Sequence, residues 1–420
     1  MNKKDLLHEQ VYDRVRRDEF LWRKANAWGV SRRRVLQLLT AAGAGAATTL
    51  APPALRRQHQ AANAEGAANA IVKSTSPTFF YQTGSNLEMR WEALSNRGYL
   101  VPNELFFVRN NNPTPRLDSA TWRLKIEGSG VSHPQSFSYD DLLSMPSVSV
   151  IRAIECAGNG RSFYQTAYGR QASGTQWKLG GIGVAEWTGV PLREVLQRAG
   201  VKPTAEDVLA ESLDEKKVAR PIPIEKAMAD DTLLVYAMNG SVLPPDHGFP
   251  IRLLTPGWVG IANIKWVGRI EVSEAPIYTL WNTEKYILIG EDYEPEPGSP
   301  ALGQIVTTQK VKSAFELPWD AELSEGRRLL RGRSWSGQGK ITQVEVSLDQ
   351  GQSWEVARLR DPNLSQAWVR WDLDWQARPG AYHLQARATD DQGQTQPDRV
   401  PFNQKGYLYW GVVSHPVSVS

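Results

Sequence analysis

The sequence predicts an α+β domain followed by a smaller β-sandwich. Residues 78–301 mix short β-rich runs with helical patterns, whereas the chain beyond them is dominated by short runs that alternate apolar and polar residues. A stretch rich in Pro and Glu at residues 294–300 separates the two patterns and is typical of a surface connection. With 420 residues and 41% hydrophobic content, the chain is long enough for two well-packed domains. We therefore predict domains at residues 78–301 and 302–420.

The first domain alternates strand and helix patterns. Strands are expected at residues 122–127, 148–154, 233–236, 251–254 and 270–272. Helices are expected at residues 140–145, 191–199 and 224–228. The second of these has Pro191 at its start and Gly200 just past its end, which are common start and stop signals. This mixture predicts an α+β domain rather than an all-β one.

The second domain has the pattern of an immunoglobulin-like β-sandwich. Alternating runs occur at residues 328–334, 341–348, 354–359, 368–373 and 381–389, with turns at residues 349–351 and 390–393. Regular short strands with such punctuation are typical of that fold. Five of the sixteen tryptophans lie within residues 328–389, and we expect most of them to fill the core or an interface. They are Trp335, Trp354, Trp368, Trp371 and Trp375.

The N-terminal region has a pattern that is typical of an export signal. Residues 31–36 are Ser-Arg-Arg-Arg-Val-Leu, and an apolar run follows at residues 38–50. This pattern predicts a twin-arginine signal peptide at residues 1–64, export of the folded protein by the twin-arginine machinery, and a periplasmic location. The run is too short for a membrane span of about 20 residues. The alternative is a basic helix with an Ala-rich core face. The charged stretch before Ser31 is unusually long for a signal peptide and leaves this alternative open.

Charge and cysteine content exclude several classes of function. Residues 1–64 hold 12 Lys and Arg against 5 Asp and Glu, so a net charge of +3 for the whole chain leaves about −4 for the remainder. A nucleic-acid partner is therefore not expected. Cys156 is the only cysteine, which excludes an internal disulfide, a Cys-rich zinc or iron–sulfur site, and covalent haem attachment through Cys-x-x-Cys-His. Any redox group must be an added cofactor, and no haem is expected in this chain.

Cys156 follows a predicted strand and opens a loop of small residues. Glycine lets the backbone turn and approach closely, which leaves room beside the sulfur for a bulky ligand. Arg152 and Arg161 are expected to favour the thiolate, and a soft thiolate suits a redox metal. Taken alone, a cysteine at a strand end is also compatible with a small buried hydrophobe.

The sequence Cys-Ala-Gly-Asn-Gly-Arg at residues 156–161 resembles the molybdenum-ligand loop of sulfite oxidases and plant-type nitrate reductases. Further segments resemble the same family in the same order, at residues 106–110, 211–214, 236–240, 245–252 and 264–268. The similarity runs from about residue 99 to the C-terminus, since that family also carries an immunoglobulin-like dimerisation domain. The first domain is therefore expected to be a sulfite-oxidase-type molybdopterin-binding domain.

The resemblance implies a molybdenum–molybdopterin cofactor with Cys156 as the protein ligand to the metal. It implies that Arg109 and Arg161 face an anionic substrate, with Trp177 and Tyr286 completing the pocket wall. Planar guanidinium groups suit a tetrahedral oxyanion. It also implies a set of residues that contact the pterin. These are Arg109, Asn110, Asn111, Asp214, His247, Arg252, Asn263 and Lys265.

Three positions depart from the family pattern. Many sulfite oxidases have His where this chain has Asn111, and animal enzymes have an active-site Arg where this chain has Lys405. Gly160 stands where animal and plant members have another arginine. Lys405 would keep the charge but lose the bidentate fork, and Asn111 would make a neutral contact to the cofactor. All three departures indicate the bacterial periplasmic branch.

The implied activity is oxidation of sulfite, a related sulfur oxyanion or a protein-bound sulfane, with water supplying the oxygen and a cytochrome c accepting the electrons. A homodimer, or a heteromer with a cytochrome subunit, is expected. Two alternatives stay open. One is a nitrate or sulfoxide reductase on the same scaffold, and the other is a non-catalytic, partner-binding subunit of a sulfur-oxidising complex. Cys156, Arg109 and Arg161 occurring together argue against the second.

Overall fold

The computed structural model of the protein describes residues 70–420. The predicted export signal at residues 1–64 lies outside these described residues. Among the described residues, no helix is long and apolar enough to cross a membrane. Strands dominate the fold, and the α-helices are short, from four to seven residues.

The first part of the described chain carries the α+β pattern. Its strands are β1 (Phe80–Thr83), β2 (Asn86–Met89), β3 (Val108–Arg109), β4 (Arg123–Glu127), β5 (Gln135–Ser138), β6 (Val148–Glu155), β7 (Ile182–Pro191), β8 (Asp207–Ser212), β9 (Ala219–Pro223), β10 (Leu233–Met238), β11 (Ser241–Val242), β12 (Arg252–Leu254), β13 (Val267–Ser273), β14 (Ile287–Leu288) and β15 (Gln304–Ile305). Its α-helices are α1 (Tyr139–Ser144), α2 (Phe163–Tyr168), α3 (Leu192–Arg198), α4 (Ile224–Ala227) and α5 (Leu280–Thr283), and its 3-10 helices are Trp91–Leu94, Pro245–His247 and Gly260–Ala262. The predicted strands and helices of this part are confirmed, with ends that differ by one or a few residues.

Two five-stranded sheets form the body of this part. One has the order β11-β10-β7-β6 with β12 also paired to β10, and the other has the order β5-β4-β13-β8-β9. Strands β6 and β7 form a long antiparallel pair from Val148↔Gly189 to Glu155↔Ile182. Strand β6 begins exposed and ends fully buried, so the chain enters the interior along it. Cys156 is the next residue, and β6 therefore delivers it to the inside of the protein.

The second part of the described chain consists of two sheets over a shared apolar core. Its strands are β16 (Lys312–Phe315), β17 (Ala321–Leu323), β18 (Gly326–Trp335), β19 (Ile341–Ser347), β20 (Glu355–Val356), β21 (Arg358–Arg360), β22 (Trp368–Ala377), β23 (Gly380–Asp390) and β24 (His415–Val419). The sheet orders are β16-β18-β22-β21 and β17-β24-β23-β19-β20. Val344 and Leu384 from one sheet pack with Val369 and Trp371 from the other. The core-filling role predicted for the tryptophans holds for four of the five, since Trp354 is only half-buried.

The structure differs from the sequence prediction at residues 354–359, which were expected to form one strand. Strand β20 pairs with β19 in one sheet, whereas β21 pairs with β22 in the other. Ala357, which lies between them, is buried. The chain thus crosses from one sheet to the other at this point. An alternating pattern reports which face is buried and carries no information about which strand is the neighbour.

The two parts share an extensive interface. Trp335 and Trp368 of the second part pack against Trp91 of the first, with ring centroids 5.9 and 6.0 Å apart. The connection at residues 294–300 runs over the surface, as its composition predicted. Two buried ion pairs also lie at the interface, Lys312–Glu155 at 2.7 Å and Arg333–Glu316 at 2.6 Å. Because Glu155 precedes Cys156, the second part reaches the residues around the cysteine.

Candidate active site

The loop that begins at Cys156 is tied closely to the start of β7. Cys156 is a free cysteine with 6% of its surface exposed. Its amide donates to the Gly181 carbonyl at 2.8 Å, and its own carbonyl accepts from the Asn159 amide at 2.9 Å. The Asn159 side chain accepts from the Gly181 amide at 2.9 Å and donates to the Glu155 carboxylate at 2.8 Å. These bonds fix the backbone on both sides of the sulfur.

Two glycines let this loop pack tightly. A Cβ atom at Gly158 would lie 2.8 Å from the guanidinium of Arg161, and Gly160 has a φ of 93°. A side chain would be strained at Gly160 and would collide at Gly158. The small residues of the loop therefore make room for Arg161 beside it.

Cys156 lines a cavity whose wall is built from residues of several distant segments of the chain. The cavity brings together ten of the residues predicted for the site. They are Arg109, Asn110, Asn111, Cys156, Asp214, His247, Arg252, Asn263, Lys265 and Tyr286. Arg161, Trp177 and Lys405 lie outside the cavity wall.

One end of the cavity is lined by buried basic side chains. The Arg252 guanidinium donates to the carbonyls of His247 at 3.0 Å and Asn263 at 3.1 Å, and the Lys265 ammonium donates to the Asp246 carbonyl at 2.8 Å. Burial lowers the pKa of Arg252 to about 9, and burial holds the pKa of Lys265 and of His247 well below its usual range. Burying cations is costly unless an anion compensates them. This end therefore fits an anionic group.

Lys73 joins these basic side chains from the start of the described chain, and no pattern in the sequence indicated it. The Asp246 carboxylate accepts from the amides of Val72 at 2.9 Å and Lys73 at 2.8 Å. The Lys73 ammonium then lies 3.4 Å from Nε2 of His247 and donates to the Phe106 carbonyl. Burial lowers the pKa of Lys73 to about 7. Because Lys73 is far from the other segments in sequence, only the fold brings it here.

Arg109 and Tyr286 lie near the thiol. The Arg109 guanidinium donates to Oδ1 of Asn111 at 2.9 Å and to the Asn110 carbonyl. Burial opposes its charge, but the neighbouring Tyr286 and Cys156 outweigh burial and raise the pKa of Arg109. Burial also raises the pKa of Tyr286, so its hydroxyl stays protonated at neutral pH. Tyr286 has a φ of 46°, a conformation uncommon for large residues and often found at functional sites.

Arg161 does not line the cavity, but it contacts a residue that packs against the cavity wall. Its guanidinium donates to the carbonyls of Lys405 at 2.9 Å and Thr175 at 2.9 Å, and it lies 4.9 Å from the ring centre of Tyr407. Tyr407 in turn stacks on Tyr286, with ring centroids 5.0 Å apart. Arg161 therefore acts on the cavity through Tyr407. The sequence did not single out Tyr407, although it lies two residues after Lys405.

Trp177 and Lys405 take supporting places. Trp177 is fully buried and packs edge-on against Phe107, a residue of the cavity wall, at 6.3 Å. Lys405 offers its backbone carbonyl to Arg161. Arg152, which was expected to act on the thiol, forms an ion pair with Asp231 at 3.2 Å that compensates its charge.

Among the described residues, Cys156 does not belong to a cluster of side chains that could hold a metal ion without further ligands. Over residues 70–420, no group of three or more His, Cys, Asp or Glu side chains gathers in the way that would hold a metal ion. A cavity that presents a thiol together with buried basic side chains fits a metal carried by an anionic organic group.

Comparison with known families agrees with this site. Residues 111–281 match the family described as oxidoreductase molybdopterin binding domain. Residues 304–415 match the family described as Mo-co oxidoreductase dimerisation domain. The first match includes the cavity residues from Asn111 to Trp266, and the second covers most of the two-sheet part of the fold.

Several known proteins are similar to this chain. Sulfite oxidase of Gallus gallus is 35% identical over 346 residues, which are 77% of this chain and 74% of that protein. Mitochondrial sulfite oxidase of Homo sapiens is 35% identical over 333 residues, 75% of this chain and 61% of that protein. The chain thus spans less than two thirds of the length of the mammalian relatives that it matches. The crystal structure of the sulfane dehydrogenase SoxCD from Paracoccus pantotrophus is similar with a TM-score of 0.70 and 29% identity, covering 87% of this chain and 90% of that one.

Proposed function

Because this chain belongs to the sulfite oxidase family of molybdopterin oxidoreductases, we propose that it oxidises sulfite or a related sulfur oxyanion to sulfate and passes the electrons to a cytochrome c. The observation that carries the proposal is the thiol of Cys156 in a cavity that also presents Arg109 and Tyr286. Sulfite is an anion, and a partly buried guanidinium beside the thiol is suited to hold it.

The residues of the cavity fit the molybdenum–molybdopterin cofactor. Cys156 is the thiolate ligand for the metal, and His247, Arg252 and Lys265 offer buried donors to the phosphate of the pterin. Nε of Arg252 is buried and has no hydrogen-bond partner among the described residues, which leaves a donor for such a group. When bound, the cofactor supplies the oxygen transfer and accepts the electron pair. Asn110, Asn111, Asp214 and Asn263 provide further polar contacts to the pterin.

The protein's own part in the reaction is to hold the substrate anion and to control protons. Arg109 binds substrate oxygens through its N–H groups, and the protonated hydroxyl of Tyr286 donates a hydrogen bond close to the thiol. Arg161 adds positive charge behind Tyr407. Trp177 holds Phe107 in the wall, and Lys405 fixes Arg161 through its carbonyl. In the balanced reaction, sulfite and water give sulfate, two protons and two electrons.

The setting of the enzyme is also proposed. The twin-arginine pattern supports export of the folded protein to the periplasm, where a cytochrome c would accept electrons one at a time. Haem is not expected in this chain. The match of residues 304–415 to a dimerisation domain supports a homodimer or a heteromer with a cytochrome subunit. The two-sheet arrangement of that domain supports an immunoglobulin-like topology.

A protein-bound sulfane is the second candidate substrate. The similarity to a sulfane dehydrogenase over 87% of this chain favours it. A small anion and a sulfane carried on a protein would reach the same thiol-lined cavity. The two candidates therefore differ in what lies outside the cavity rather than in the chemistry within it.

A metal assay combined with a substrate panel tests the proposal. Purified protein should contain molybdenum and pterin in equal amounts, and it should reduce cytochrome c with sulfite as donor. Thiosulfate and a protein-bound sulfane test the related substrates, and nitrate with a reduced dye tests the reductase alternative. Protein that contains molybdenum but turns over none of these sulfur donors would contradict the proposed activity. Protein that contains no molybdenum would contradict the assignment of Cys156.

A further inference from the structure

Lys312 is a buried lysine of the second part of the fold, and its side chain contacts residues of the first part. It is the first residue of β16, pairs with Trp335 of β18, and has 2% of its surface exposed. Its ammonium lies 2.7 Å from Oε1 of Glu155 and 2.8 Å from the carbonyl of Asn159. These two partners stand one residue before Cys156 and three residues after it. The ammonium thus spans the loop that carries the thiol.

The partners of Lys312 are joined to one another. Oε1 of Glu155 also accepts a hydrogen bond from the Asn159 side chain at 2.8 Å, and Oδ1 of Asn159 accepts one from the Gly181 amide. The Gly181 carbonyl in turn accepts a hydrogen bond from the Cys156 amide at 2.8 Å. The ammonium therefore completes a closed hydrogen-bonded ring around the cysteine. Every polar group in this ring is buried, so the loss of one donor leaves acceptors that water does not reach.

Stability alone does not account for such a pair. Replacing a buried ion pair with apolar side chains of similar volume is often neutral or stabilising, whereas a buried polar network can specify a unique geometry. Here the geometry that is specified is that of the loop around Cys156. By contrast, Arg333 forms an equally buried pair with Glu316 at the same interface, and its other bonds go to the carbonyls of Tyr99 and Gly98.

We infer that Lys312 is a positioning residue for the thiolate of Cys156, so that the second domain contributes to the metal site as well as to assembly. The inference rests on the proposed function, since it takes Cys156 to be the metal ligand. Lys312 touches neither cofactor nor substrate. It holds Glu155 and Asn159, and these hold the backbone from which the sulfur projects. Groups that orient a metal ligand in this way affect the electronic structure of the metal as well as its binding.

Lys312→Met and Lys312→Gln test the inference, and Arg333→Met is the matched control. Methionine has nearly the same length as lysine and cannot donate, whereas glutamine retains an N–H donor. The measurements on purified holoprotein are molybdenum content, the electron paramagnetic resonance spectrum of the five-valent metal, kcat per bound molybdenum, KM for sulfite, and amide hydrogen exchange of a peptide covering residues 155–161.

We expect Lys312→Met to lower kcat by about 10–100-fold, the usual range for groups that orient metal ligands, with little change in KM. Its spectrum should shift and its loop amides should exchange faster. Lys312→Gln should recover part of each property. Arg333→Met should lose thermal stability like Lys312→Met but keep the wild-type spectrum, kcat and loop exchange.

Two results would overturn the inference. One is a wild-type spectrum and kcat in molybdenum-loaded Lys312→Met, and the other is the same changes in Arg333→Met. If Lys312→Met binds no molybdenum, Lys312→Gln takes its place, and unchanged loop exchange relative to wild type then counts against the inference. If wild-type protein itself holds no molybdenum, the proposed function fails, while the exchange comparison still decides whether Lys312 orders the loop.

Discussion

Replacing Arg109 with glutamine tests how the substrate anion is held. The Arg109 guanidinium lines the cavity beside Cys156 and is oriented by Asn111 and by its contact with Tyr286. Glutamine is shorter and neutral, so the variant loses the charge and the paired N–H donors. His247, Arg252 and Lys265 are unchanged, so the variant should still bind the cofactor.

The size of the effect follows from the bonds that are lost. A hydrogen bond to a charged group contributes about 1.5–3 kcal/mol, and the Arg109 side chain is partly buried in the cavity wall. We expect a loss of about 2–3 kcal/mol of transition-state stabilisation, or about 30- to 150-fold in kcat/KM for sulfite. Lys405→Gln is the control, because Lys405 serves Arg161 through its carbonyl. Its loss should be about 1 kcal/mol or less.

The assay is a sulfite titration of both variants with one artificial electron acceptor at fixed ionic strength. Rates are expressed per bound molybdenum, so that a loading defect is not read as a catalytic one. Part of the Arg109 loss should appear as a raised KM, because the charge attracts the free anion as well. Equal losses in the two variants, or an unchanged kcat/KM in Arg109→Gln, would refute this account of anion binding.

Three further predictions concern the cofactor, the fold and export. Cys156→Ser should abolish turnover but keep most of the pterin, as measured by fluorescence, because His247, Arg252 and Lys265 are intact. Wild-type turnover in this variant would exclude thiolate ligation. Burial lowers the pKa of Lys73 from 10.5 to about 7, so the cofactor-free protein should gain stability as the pH rises from 7 towards 10.5, where only the unfolded chain keeps the proton. Lys73→Met should flatten this rise, as measured by thermal unfolding at pH 6 and pH 9; an unchanged slope would contradict it. Replacing both Arg32 and Arg33 with lysine should leave the precursor in the cytoplasm, and normal periplasmic levels by cell fractionation would argue against the export signal.

The sequence predicted most of the regular structure and the wall of the cavity. Strand β6 and the loop after it were predictable because an apolar run ends at a cysteine followed by small residues. His247, Arg252 and Lys265 were predicted from segments that resemble a known family, and they lie together in the cavity as that resemblance implied.

The remaining site residues depend on tertiary structure. Lys73 and Tyr407 carry no local signal, because an isolated lysine or tyrosine is usually a surface or core residue. Arg161 was expected in the cavity, but the glycines around it let its guanidinium bond to two carbonyls instead. Lys312 lies in an ordinary strand pattern, and nothing in that pattern indicates a partner 157 residues away.

The contacts of the Val72–Lys73 segment with Asp246 have a practical meaning for protein production. The family match begins at residue 111, and an expression boundary placed there would discard Arg109 together with Lys73. It would also discard Glu88, whose carboxylate accepts the amides of Lys178 and Gly180 just before β7. A truncated gene that begins at the family match would therefore encode a protein without Arg109 and its neighbours in the cavity wall, and the start codon belongs upstream of Ala70.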